Sequence, residues 1–215
     1  MKFNVKQAII DRLCKTGRKN IEAVINYMEN NGFFTYHCHH HHHYTGGLAE
    51  HAWQTYQVAQ RLDDERCENN PNAQKLDEDS LAICTLLHDL CDCSGMRDIT
   101  GHGKRSAKLL KSLGFKLTQE EFLAIRFHMS LKDKKNHPLY NDALKSQLRY
   151  VVHKADGISA KLNDGYDDTK QHDDFVEQFV LALNKLGINV IDDDGEKMNN
   201  GDLTDYLKKT YQDNL

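Results

Sequence analysis

Apolar residues recur at intervals of three and four along most of the chain, while runs that alternate apolar and polar positions are scarce. That period predicts an all-α protein, a compact multi-helix bundle interrupted by only two prolines. Amphipathic helices are expected at 5–13 and 21–27, the second stopped by Asn30, Asn31 and Gly32, as an N-terminal hairpin. A helix at 48–62 is expected to give way to a polar loop at 63–77 containing Pro71 and clustered Asn. Residues 81–88 (LAICTLLH) are apolar on nearly every side, which predicts a central helix surrounded by others. A helix at 104–113 ends at Gly114, and Thr118 with Glu121 forms a capping box ahead of Phe122, Ile125 and Phe127. A helix at 147–162 follows. Beyond it lie an acidic stretch at 164–177, a helix around 175–186, a polar turn at 192–201 and a final helix at 203–211.

Composition narrows the class. At 215 residues, 39% hydrophobic and 28% charged, the chain is long and apolar enough to bury a core without disulfide staples. The six cysteines, at 14, 38, 67, 84, 91 and 93, fall at irregular positions and read as free thiols. Cys91 and Cys93 form a C-x-C pair, but no second pair stands at zinc-site spacing. No stretch approaches the about 18 apolar residues of a membrane span, and the first ten lack the apolar core of a secretory signal, so a cytoplasmic location is expected. A net charge of -4 and a pI near 6.3 give no sign of a long basic stripe, leaving nucleic acid unsupported as a partner.

Candidate chemistry emerges where ionisable side chains occupy positions that helical patterning assigns to the core. Asp89 follows His88 directly at the end of the apolar central helix, where a carboxylate without a partner costs several kcal/mol. Asp156 shares a helical face with Val152, Ala155 and Ser159, and His51 opens a face continued by Thr55, Val58 and Leu62. Two imidazoles and two carboxylates make a mixed nitrogen and oxygen site suited to Mn²⁺, Fe²⁺, Co²⁺, Ni²⁺ or Zn²⁺, with Mg²⁺ a further candidate. Such a site can lower the pKa of a bound water toward about 7 and polarise a phosphoryl oxygen, chemistry that fits phosphate-ester cleavage.

The ordered set His51, His88-Asp89 and Asp156 resembles the HD-domain metal-dependent phosphohydrolases, whose signature is a His, a His-Asp doublet and a distant Asp. The segment HHHYTGGLAEH, with Gly46 and Gly47 ahead of His51, is similar to the segment preceding the first ligand in bacterial members. The likeness covers roughly 36–162 and divides the chain into an N-terminal hairpin packed on the core (1–35), an HD domain (36–165) and a C-terminal helical extension (166–215). It implies His51, His88, Asp89 and Asp156 as metal ligands, with His88 and Asp89 as the catalytic pair. His102 and His128 look like the extra ligands of two-metal members; alternatively, they line the pocket and donate hydrogen bonds to phosphate.

Lys104, Arg105, Arg126, Lys154 and His42 are expected to hold the substrate, and Asp92 or Glu50 to act as the general acid. His41 and His42 match a His-His pair ahead of the glycines in related domains, while the rest of the run from His39 to His43 looks lineage-specific. The chain reads HDLCDCSG where cyclic-dinucleotide phosphodiesterases of this type carry Gly-Lys, with Asp92 in place of the Lys. The resemblance therefore implies hydrolysis of a small phosphate ester, a nucleotide foremost. Alternatives are a diiron oxygenase and a non-catalytic nucleotide-binding module. Oligomeric state is not legible.

Overall fold

The computed structural model describes residues 4–38, 41–94, 101–129, 131, 136–162, 180, 190, 197–200 and 203–206. The chain divides into two compact units, Met1–Gly165 and Tyr166–Leu215. Among its described residues the first unit is built from eight α-helices and contains no strand. They are α1 (Val5–Lys15), α2 (Ile21–Asn30), α3 (Gly47–Asn69), α4 (Glu78–Leu87), α5 (His102–Ser112), α6 (Gln119–Arg126), α7 (Tyr140–Lys145) and α8 (Gln147–Leu162), with a 3-10 turn at Leu90–Ser94 after α4.

Local chemistry sets the helix starts. Asn4 and Asp77 cap α1 and α4 by accepting from the backbone N–H groups of Gln7 and Ser80 at 3.1 and 2.8 Å. The capping box at α6 forms in full, with Thr118 and Glu121 each accepting from the other's backbone N–H. Gly46 enters α3 with φ of 85°, in the left-handed region. Gly47 answers a different demand, because a Cβ there would meet the carbonyl oxygen of His42 at 2.0 Å. The glycine pair thus lets the histidine segment fold back onto the first turn of α3.

Helix α4 is the centre of the bundle, and every residue from Leu81 to Leu87 is buried. Each fully buried leucine there contributes about 1.5–3 kcal/mol. Its neighbours are α3, α8, α6 and α1, and α3 packs most extensively against α8. Buried Arg12 ties α1 to the middle of the bundle, donating from Nε to Tyr56 Oη at 2.8 Å and from Nη1 to Asp79 Oδ1 at 3.0 Å.

Helix α3 runs seven residues past the 48–62 expected, so the loop starts only at Asn70. Residues 63–69 lack apolar periodicity, yet they hold a helix because Asp63 is buried and fully engaged. Its carboxylate accepts from Arg66 Nη2 at 2.6 Å and from the Leu76 backbone N–H at 2.9 Å.

Described residues of the second unit are few: Val180 and Leu203 are buried, with Val190 and Met198 packed against them. Residues 203–206 are helical. The acidic stretch at 164–177, and most of the helices and turn expected at 175–186, 192–201 and 203–211, lie outside the described residues. Among the described residues no helix is long and apolar enough to cross a membrane.

Candidate metal centre

Six side chains converge inside the first unit. His51 opens the second turn of α3, His88 caps the C-terminus of α4 and Asp89 follows it; His102 opens α5, His128 lies just past α6, and Asp156 is on α8. The carboxylate of Asp89 faces both ways. Its Oδ2 lies 3.2 Å from His88 Nε2 and 4.0 Å from His51 Nε2, whereas Oδ1 lies 3.2 Å from His102 Nε2 and 3.5 Å from His128 Nε2. Asp156 Oδ1 completes the first side, 3.2 Å from His51 Nε2 and 3.7 Å from His88 Nε2.

Hydrogen bonds on the outer edge of the rings fix which nitrogen points inward. His88 Nδ1 donates to the Thr85 carbonyl at 2.8 Å and His128 Nδ1 to the Ile125 carbonyl at 2.7 Å. A carbonyl can only accept, so the proton sits on Nδ1 and the Nε2 lone pair is aimed into the site. Both contacts run three residues back to a carbonyl at a helix end, which also needs a donor. His51 is set from α8: Ser159 Oγ donates to the His51 carbonyl at 3.3 Å and accepts from His51 Nδ1 at 3.2 Å.

The inward atoms fit a cation. His51 Nε2, His88 Nε2 and Asp89 Oδ1 are buried and have no hydrogen-bond partner, a costly arrangement for polar groups. In each of the triads His51–His88–Asp89, His88–His128–Asp156 and Asp89–His102–His128, the ligand atoms lie within 4.8 Å of one another. Metal–ligand bonds of about 2.0–2.2 Å can span such gaps. The His102 and His128 Nε2 atoms approach to 2.7 Å, so a proton or a cation must separate their lone pairs.

Electrostatics point the same way. Burial would raise the pKa of Asp89, but the imidazoles of His88, His102 and His128 hold it well below the usual carboxylate range. Burial likewise opposes ionisation of Asp156, and the adjacent His51 and His88 rings outweigh it, holding its pKa well below the usual range. For His88, burial disfavours the charged ring while Asp89 and Asp156 more than reverse this, raising its pKa; without a metal, Nε2 holds a proton that a bound cation would displace. Burial, and then the charge of His88, push His128 down to about 4, leaving it neutral and able to ligate at neutral pH. Two ionised carboxylates in a buried cluster call for compensating positive charge.

The histidine segment lines one side. His42 is buried, its Nε2 is 3.0 Å from Gln54 Oε1, and Gln54 Nε2 donates to Glu50 Oε1 at 3.2 Å. An amide oxygen accepts, so His42 carries its proton on Nε2 and its Nδ1 accepts from His41 Nδ1 at 3.0 Å. The His41 ring lies 4.4 Å from that of His51, and burial, with His51 and His42 adding to it, lowers the His41 pKa to about 3. His39 and His40 lie outside the described residues.

Three of the residues expected to hold substrate are not with the cluster. Lys104 and Arg126 line a surface cleft between α5 and α6, and Lys154 is exposed, with its Nζ 5.9 Å from the Tyr150 ring. The reason is helical phase: each lies two residues from a cluster member, His102, His128 or Asp156, and residues two apart face opposite ways. Arg105, three residues after His102, shares its face and is half-buried. Of the two general-acid candidates, Asp92 is half-buried beside Cys91, and Glu50 ends the chain of contacts from His41.

Sequence reading passed over two positions that set the geometry. Gly103 lies where a Cβ would meet the Ile125 carbonyl oxygen at 2.4 Å and His128 Cε1 at 3.1 Å. Only glycine lets α5 come that close to the end of α6; a glycine inside a helix was the available signal. Ser159 was recognised as inward-facing but not as the group that orients His51.

The sequence profile of the HD domain matches residues 48–161, more than half the chain. No curated protein and no solved structure gives a match. That profile spans all six converging residues, and the chain belongs to the HD domain family, the superfamily of metal-dependent phosphohydrolases.

Proposed function

We propose that the protein is a metal-dependent phosphohydrolase cleaving a small phosphate ester, with a nucleotide as the leading substrate. The observation that carries this reading is the pair of inward-aimed, unpartnered Nε2 atoms of His51 and His88 facing two ionised carboxylates. His51, His88, Asp89 and Asp156 would hold one divalent ion, and Asp89 with His102 and His128 a second. When bound, the metal supplies an activated water and a Lewis acid for the phosphoryl oxygen. The protein's own contribution is preorganisation: Thr85, Ile125 and Ser159 fix the ring tautomers, so no lone pair must be reoriented during the reaction. His41 and His42 stand beside His51 as packing groups whose N–H donors are already engaged by each other and by Gln54, which leaves Arg105 on the His102 face as the phosphate-binding candidate.

Asp89→Ala removes the carboxylate that both halves share. Phosphate release from nucleotides and a generic aryl phosphate by metal-loaded protein is expected to fall at least a hundredfold, with helix content unchanged by circular dichroism. Turnover retained in that variant would contradict the reading. The two-sided placement of Asp89 also suits a pair of irons, and an oxygenase is the second reading; oxygen consumption coupled to an organic substrate would select it.

A further inference from the structure

The whole chain carries a net charge of -4, yet the cleft between α5 and α6 is lined by five cations and no carboxylate. Lys104, Lys108 and Lys111 recur at intervals of four and three along α5, on one face over about 10 Å of helix axis. Lys116 follows in the turn, and Arg126 closes the cleft from α6. All four lysines are exposed, and no ion pair engages them among the described residues. Like charges one turn apart repel, so the array is unfavourable on its own and is relieved by a polyanion.

The floor is apolar and partly aromatic: Ala107, Phe115, Leu117 and Phe122 line a cavity of about 590 Å³. Arg126 is held against two rings, its guanidinium carbon 5.8 Å from the Phe122 centroid and 5.2 Å from that of Phe127. A second cavity of about 330 Å³ shares Lys116, Leu117 and Thr118 with the first and adds Lys19. The basic track is therefore longer than a single phosphate needs. An apolar floor under a row of lysines suits a strand whose phosphates follow the charges while its unpaired bases cover the floor. A duplex would offer phosphates alone, and an acidic peptide would leave the aromatic floor uncovered.

We propose that this cleft docks single-stranded nucleic acid. It is separate from the metal centre and does not rest on the hydrolase reading, since Lys104 points away from the face that carries His102.

The test is fluorescence anisotropy of the metal-loaded full chain with a labelled, nuclease-resistant 2′-O-methyl oligouridylate of about 12 nucleotides, a length one such groove can cover. Micromolar binding is expected at low salt, with a log–log salt slope near -3 to -4 for about five phosphate contacts. The double variant Lys108→Glu/Lys111→Glu is expected to bind at least tenfold more weakly with a shallower slope, while its melting temperature and metal content stay as in the parent. Absence of binding, or binding undiminished in that variant, would overturn the proposal. So would equal competition by polyglutamate, which would assign the cleft to an acidic protein partner instead.

Discussion

Ser159 lies 108 positions from His51 in sequence, yet its hydroxyl both donates to the His51 carbonyl and accepts from the His51 ring. That double contact keeps Nε2 aimed at Asp156. In Ser159→Ala the ring loses its orienting partner, and metal affinity is expected to fall about 10–100-fold, the usual effect of removing a supporting group. The stability cost should stay near 1 kcal/mol. Metal titration beside thermal melts checks both; unchanged affinity would show that packing alone orients His51. At this scale the converging residues were legible because charged groups stood at core positions of a helical pattern. Lys104, Arg126 and Lys154 stand apart from the cluster because nearness in sequence is not nearness on a helix: two residues are more than half a turn. Gly103 and the orienting role of Ser159 depend on which helices meet, which a single sequence does not state.

At the scale of elements, helix ends build the centre. His88 and His128 each lie just past a C-terminus and use a carbonyl the helix leaves unsatisfied. The start of α6 is set as firmly. Glu121 is fully buried, accepting from Arg18 Nη1 at 2.6 Å, the Thr118 backbone N–H at 2.7 Å and Ser80 Oγ at 2.9 Å. Burial alone would raise its pKa, but Arg18, the Thr118 N–H and Ser80 lower it below the ordinary 4.5. A depressed folded value means stability present above pH 4.5 and lost as pH falls through the folded pKa. Glu121→Gln is therefore expected to cost about 1–3 kcal/mol at pH 7. Parent and variant should converge in acid. Urea melts at several pH values test this, and a difference independent of pH would contradict it. The capping box was readable because its residue types and spacing are local. The full length of α3 was not, because burial of Asp63 depends on Arg66 and the turn that returns to Leu76.

For the whole molecule, the candidate centre draws on five helices or their ends, so no part of it exists before the bundle forms. The all-helical class was legible throughout the described part of the first unit, since its period is nearly unbroken. The partition into a hairpin at 1–35, an HD domain at 36–165 and an extension at 166–215 remains a proposal. Charge shows most clearly what a total conceals: a chain of net -4 keeps a face of exposed lysines, and only the fold reveals that they share a cleft. The central claim is that six residues from distant parts of the sequence hold divalent metal. Elemental mass spectrometry of untagged protein, purified without nickel resin and reconstituted, tests it most directly when run beside Asp89→Ala and a variant with His39, His40 and His43 replaced. The account predicts one or two divalent ions per chain, kept when those three histidines are replaced and lost in Asp89→Ala. Metal no higher than background in the parent, or undiminished in Asp89→Ala, would contradict it.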